Sequence, residues 1–196
     1  MNSEHFTNQT DQVTSGITRN EQILIAHVVL SLIPSLIAIP IGIFLPRFAR
    51  KIIPSAWFHL HWILQVIFST IPIIVGFTIV HHFMDKSHYN WADTPHSAFG
   101  HILAFLMAFE VIFGAVYSTK CHVNKLRIVH NYIGYLILIL ALVTTFFGIV
   151  LWEIAQFWIW LFIVWVVLLI VIFAIASYFK IRASKLEKNE EKQTGI

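Results

Sequence analysis

The sequence predicts an all-α integral membrane protein of five transmembrane helices, the first four folded as an up-down bundle. Three observations predict it. Hydrophobic residues make up 58% of the 196 and charged residues only 12%, with a mean hydropathy of +0.76, whereas a soluble domain's surface needs far more charge. Five continuous apolar runs, residues 22–46, 56–80, 96–118, 128–152 and 156–179, reach the ~20 residues that a spanning helix requires. Period-2 alternation is absent from them, which argues against a transmembrane β-barrel.

Residues 1–21 are polar and lack the basic-then-apolar start of a secretory signal peptide, so they are expected to form a flexible tail. Asn8-Gln9-Thr10 within them is a glycosylation sequon. Residues 22–152 make the four-helix bundle. Its first span contains Pro34 and Pro40, which a membrane helix accepts where neighbours re-satisfy the freed carbonyls. The second span opens with Trp57-Phe58-His59-Leu60-His61 and leaves through a long polar loop holding His81, His82, Asp85, His88 and Asp93. The third starts at His96, and a basic link carrying Cys121 and His122 leads to the fourth. A short connection at Glu153 precedes the fifth span, residues 156–179, which has no histidine. Residues 180–196 are a charged tail expected to lose order beyond its first turn.

Charge sets the orientation. Eleven of the 13 lysines and arginines fall on one side: Arg47, Arg50 and Lys51, then Lys120, Lys125 and Arg127, then five in the tail. The positive-inside rule assigns that side and the C-terminus to the cytoplasm, and the N-terminus to the outside or lumen. The net charge of +3 follows from this topology and requires no nucleic-acid partner. The single cysteine, Cys121, is expected in a cytoplasmic loop, where a thiol stays reduced, and no intrachain disulfide can form.

One spacing occurs twice. His96 is followed by Gly100 and Gly114, and His130, at an offset of +34 from His96, is followed by Gly134 and Gly148. Offsets of 4 and 18 fall within about 40° of the histidine on a helix, so each run puts one His and two Gly on one face. A looser version precedes it: His27 with Gly42 and His61 with Gly76, both at +15 and again 34 apart. Successive helices run in opposite directions, so His27 and His96 share the outer depth and His61 and His130 the inner. In an up-down bundle these are diagonal pairs. Two imidazoles facing across a bundle suit the axial positions of a haem iron, which is then left to carry electrons. The glycines would let each haem approach the backbone, and the two sites would lie on the order of 20 Å apart. The competing reading is a non-catalytic scaffold or anchor subunit whose histidines serve packing or hold a divalent metal and whose glycines serve helix packing.

Residues Ala26 to Gly148, 123 of the 196, resemble the cytochrome b561 family, in particular the five-helix form of DOMON-containing members. The resemblance lies in His27 with Pro40-Ile41-Gly42 and Arg47, in Trp57-Phe58-His59-Leu60-His61 with Gln65, in His96-Ser97-Ala98-Phe99-Gly100 with Gly114, and in His130 with Gly134 and Gly148. It implies two b-type haems held by His27, His96, His61 and His130. It also implies a transmembrane oxidoreductase passing electrons from a small-molecule cytosolic donor such as ascorbate to an outer acceptor such as ferric iron or monodehydroascorbate. A quinol donor is the alternative, because the fuller ascorbate motifs of six-helix members are missing.

Two departures bear on function. No DOMON domain precedes the first span in these residues, so an outer redox partner is expected to be missing or a separate chain; a homodimer is equally open. Where the family usually has Gln in the third helix, this chain has Glu110, which tunes a haem, accepts a proton when one is reduced, or bonds between helices as the Gln would. Arg47, Arg50, Lys51, Lys120, Lys125 and Arg127 ring the inner side and are candidates for binding an anionic donor, although topology alone places basic residues there. His81, His82 and His88, with Asp85 and Asp93, are candidates for a ferric or cupric substrate, weighed against an ordinary solvated loop. His59, His101 and His122 are expected to be packing or interfacial.

Overall fold

The structure, a computed structural model, describes residues 17–83, 94–119, 124–152 and 156–194. They form five helices: α1 (Arg19–Ala49), α2 (Trp57–Phe83), α3 (Pro95–Thr119), α4 (Asn124–Leu151) and α5 (Gln156–Thr194). Each contains a stretch long and apolar enough to cross a bilayer. Asn8, Asp85, His88, Asp93, Lys120, Cys121, His122 and Glu153 lie outside the described residues.

Local chemistry sets the helix starts and irregularities. Thr18 and Glu21 close a capping box, the Thr18 N–H donating to Glu21 Oε2 at 2.7 Å and the Glu21 N–H to Thr18 Oγ1 at 3.3 Å. Two helices widen into π turns at mid-span: α1 over Pro34–Ala38 and α2 over Ile63–Thr70. In α2 the hydroxyls of Ser69 and Thr70 donate to the Leu64 and Gln65 carbonyls, both at 2.7 Å. Buried polar groups in this stretch are thereby satisfied without water, as a lipid-facing helix requires.

Adjacent helices pack in a ring, α1 on α2, α2 on α3, α3 on α4 and α4 on α1, which leaves α1/α3 and α2/α4 as diagonals. Lipid is as apolar as leucine, so the bundle is held by close packing and interhelical hydrogen bonds more than by hydrophobic exclusion. Gly76 shows the closeness: a Cβ there would sit 3.1 Å from Leu30 Cβ on α1. Ile39, Ile73, Leu103, Met107, Ile137 and Ala141 form the buried mid-bundle layer.

The fifth helix lies outside the ring against α4 and α1. Pro40 has no N–H for the carbonyl one turn back, and Trp165 of α5 donates its Nε1–H to that Leu36 carbonyl at 3.1 Å. Phe173 meets Phe44 and Phe48 edge-on, and Lys180 Nζ donates to the Arg47 carbonyl at 2.9 Å. Beyond residue 180 the helix continues to Thr194, where the sequence reading expects loss of order. Lys, Glu and Ala in that segment are strong helix formers, and extending an existing helix avoids the cost of nucleation.

Replacing Trp165 with Phe removes the donor and leaves the Leu36 carbonyl bare. The expected loss is about 1 kcal/mol, read as a lowered unfolding midpoint in detergent; an unchanged midpoint would show that the carbonyl finds another donor.

Candidate functional site

The ring of helices brings the four sequence-selected histidines into two pairs across the diagonals. His27 of α1 and His96 of α3 have ring centroids 6.0 Å apart with planes at 90°. His61 of α2 and His130 of α4 are 6.2 Å apart at 85°. About 15 residues of helix separate the two layers, on the order of 20 Å.

Three of the imidazoles are tied through Nδ1 to an acceptor on the other helix of their own hairpin, and the fourth approaches one there. His27 Nδ1–H donates to the Gly76 carbonyl at 3.0 Å, and His61 Nδ1–H to the Gly42 carbonyl at 2.7 Å. In the second hairpin His96 Nδ1–H donates to the Thr144 carbonyl at 2.9 Å. His130 Nδ1 lies 2.7 Å from Glu110 Oε1, a hydrogen-bonding distance at which the ring N–H is imperfectly aligned. A carbonyl can only accept, so the neutral rings of His27, His61 and His96 carry their proton on Nδ1 and keep the Nε2 lone pair available. This is how metal-binding histidines are commonly oriented.

The glycines do something different from what their spacing suggests. Gly42 and Gly76 supply the acceptor carbonyls, and Pro46, lacking an N–H, leaves Gly42's carbonyl without its usual donor four residues on. Gly114 and Gly148 make room for a neighbour's imidazole. A Cβ on Gly148 would sit 2.9 Å from His96 Cε1, and one on Gly114 would sit 3.3 Å from His130 Cε1. Gly134 and Gly100, one turn along from a histidine, leave open faces: a Cβ on Gly134 would meet nothing within 4 Å, and one on Gly100 only Thr144 Cγ2 at 3.9 Å.

Basic side chains gather at the end of the bundle that holds His61 and His130. Arg47 donates to the Tyr135 hydroxyl at 2.6 Å, and the Arg50 guanidinium stacks 4.3 Å from the Trp57 ring centroid. Arg47, Arg50, Lys51, Lys125 and Arg127 are all exposed. At the opposite end His81, His82 and His101 are exposed around Phe77, with His81 and His101 centroids 6.0 Å apart. His101 Nδ1–H donates to its own helix at Ser97 O, 2.7 Å. Among the described residues no group of three or more His, Cys, Asp or Glu side chains is arranged to hold a metal ion. His59 is exposed. Sequence reasoning missed the acceptors Gly42, Gly76 and Thr144 as such. For Gly42 the signal was present, a proline four residues downstream.

Gly148→Ala should be worse tolerated than Gly114→Ala, whose added Cβ has more room. Overpacking costs about 1–3 kcal/mol against ~1 kcal/mol gained from alanine's helix propensity, so Gly148→Ala should lower the unfolding midpoint while Gly114→Ala stays near neutral. Equal midpoints for the two variants would show that His96 moves aside freely.

Two histidine pairs on the diagonals of a membrane bundle, with the rings of His27, His61 and His96 fixed and their Nε2 available, suit a membrane metalloprotein. Comparison with known families agrees, since the family model of eukaryotic cytochrome b561 matches residues 26–156, all of the bundle except its first residues. Neither the curated proteins nor the solved structures compared with the chain include a match. The chain therefore belongs to the eukaryotic cytochrome b561 family, helical membrane proteins that bind haem b and transfer electrons across the bilayer.

Proposed function

We propose that this chain carries electrons through two b-type haems, an outer one held by His27 and His96 and an inner one held by His61 and His130. The donor is a cytosolic small molecule such as ascorbate, and the acceptor an outer one such as ferric iron or monodehydroascorbate. The observation that carries this reading is the matched pair of diagonal histidines. The ring centroids stand 6.0 and 6.2 Å apart, a separation that would let each pair hold one metal ion between its two imidazoles. The open faces at Gly134 and Gly100 give a planar group room beside them.

His27, His96, His61 and His130 would hold the haems, which when bound would supply one-electron carriers. The chain's residues do the rest. The Nδ1 bonds hold the imidazoles in one tautomer and one orientation. Leu103, Met107, Ile137 and Ala141 fill the layer between the pairs and keep water out of it. Arg47, Arg50, Lys51, Lys125 and Arg127, with Lys120 beside them in sequence, draw an anionic donor to the inner end. The concentration of these residues at the His61 end also supports placing that end in the cytoplasm and the N-terminus outside.

The test is the reduced-minus-oxidised visible spectrum of the purified protein in detergent, with haem per chain measured on the same sample. Wild type should hold two b-type haems. His27→Ala or His96→Ala should remove one of them, and His61→Ala or His130→Ala the other. Loss of the same haem from His27→Ala and His61→Ala would defeat the pairing. Rapid reduction by ascorbate in a quinone-free preparation supports the donor, whereas reduction only on adding quinol replaces it.

A further inference from the structure

Three of the four histidine Nδ1 groups meet backbone carbonyls, and the fourth meets a carboxyl. The equivalence of the four places is set by register. The acceptor facing His96 is Thr144, at +14 from His130, and the acceptor facing His130 is Glu110, at +14 from His96. Glu110 therefore stands where the hairpin's own symmetry puts an acceptor, but it presents Oε1 of its side chain. The Glu110 side chain is 12% exposed; its Oε1 approaches His130 Nδ1 at 2.7 Å without completing an aligned hydrogen bond, and its second oxygen has no hydrogen-bond partner among the described residues. Its polar contact is thus spent on His130.

We propose that Glu110 is a positioning residue that acts through His130 to make the inner haem harder to reduce than the outer one. A carboxyl accepting from Nδ1–H pulls the proton from the ring more strongly than a peptide carbonyl does and raises the basicity of the ligating nitrogen. A more basic axial ligand favours the oxidised iron. His61, His27 and His96 have only carbonyl acceptors and lack this push. The two sites thereby acquire different reduction equilibria although all four ligands are histidines. This inference rests on the ligand assignment proposed above.

The test isolates each haem and then changes Glu110. His27→Ala should retain only the inner haem and His61→Ala only the outer one, and redox titration of each should give the lower midpoint potential for the inner. Glu110→Gln, close in shape and still able to accept a hydrogen bond, should keep haem binding. In the His27→Ala chain it should shift the inner equilibrium about tenfold toward reduced iron, ~59 mV for a one-electron couple. In the His61→Ala chain it should leave the outer potential where it was. An inner potential that Glu110→Gln does not move, or equal shifts at both haems, would overturn the inference while leaving the ligand assignment standing. If the Gln variant fails to fold or to hold haem, the comparison of His27→Ala with His61→Ala decides, and an inner potential equal to or above the outer one overturns the inference. Failure of those two variants to retain one haem each would overturn the ligand assignment and this inference with it.

Discussion

The arrangement depends on four contacts from imidazole Nδ1, three of them hydrogen bonds to backbone carbonyls and the fourth the 2.7 Å approach of His130 to Glu110, exchanged reciprocally within each hairpin. His27 reaches from α1 to α2 and His61 reaches back; His96 reaches from α3 to α4 and His130 reaches back. In a bilayer such a bond adds only about 0.6–1.7 kcal/mol, so the four together do not decide whether the bundle folds. What they decide is direction. A ring anchored sideways to its hairpin partner can turn only its far nitrogen toward the diagonal, and both hairpins do this at both depths. The diagonal pairs follow from that, as does the requirement that α1/α2 and α3/α4 each pack closely.

The two hairpins meet this requirement with different helices. In the second, the acceptor stands at +14 from the histidine on its own helix, and α3 and α4 are regular α-helices between those points. In the first the interval is +15, and each of α1 and α2 contains a π segment between its histidine and its glycine. A π turn takes up about one residue more than an α turn. The extra residue is absorbed there, and Gly42 and Gly76 return to the face that an offset of +14 would give. The prolines and the hydroxyl groups of this hairpin, Ser69 and Thr70 among them, accompany that widening.

Much of this was legible in the chain. Five apolar runs located the helices because a spanning helix must be long and uniformly apolar, and the histidines stood out because few polar residues survive in such runs. The glycine pattern was read at +18 in the second hairpin because glycine was the visible repeat, and the glycines there make room for the rings of His130 and His96. The acceptors sit at +14, where one is the main chain of Thr144. A backbone carbonyl has no signature in sequence unless something nearby frees it, as Pro46 does for Gly42. Glu110 was conspicuous as an acidic residue in a span, but its partner was not, because the ring of His130 comes to it from another helix.

The energetics of Glu110 argue for a role in chemistry over one in stability. An acidic residue inside a span costs up to roughly 2.5–3.5 kcal/mol on insertion scales, more than a single hydrogen bond in the bilayer can return. A glutamine would offer His130 an acceptor oxygen at the same reach without burying an ionisable group. The bundle's packing gains nothing from the choice, since neither carboxyl oxygen completes a hydrogen bond among the described residues. The difference between the two side chains is the strength with which the acceptor pulls on the Nδ1 proton. That pull is felt at the opposite nitrogen of the same ring, the one directed at the bundle diagonal.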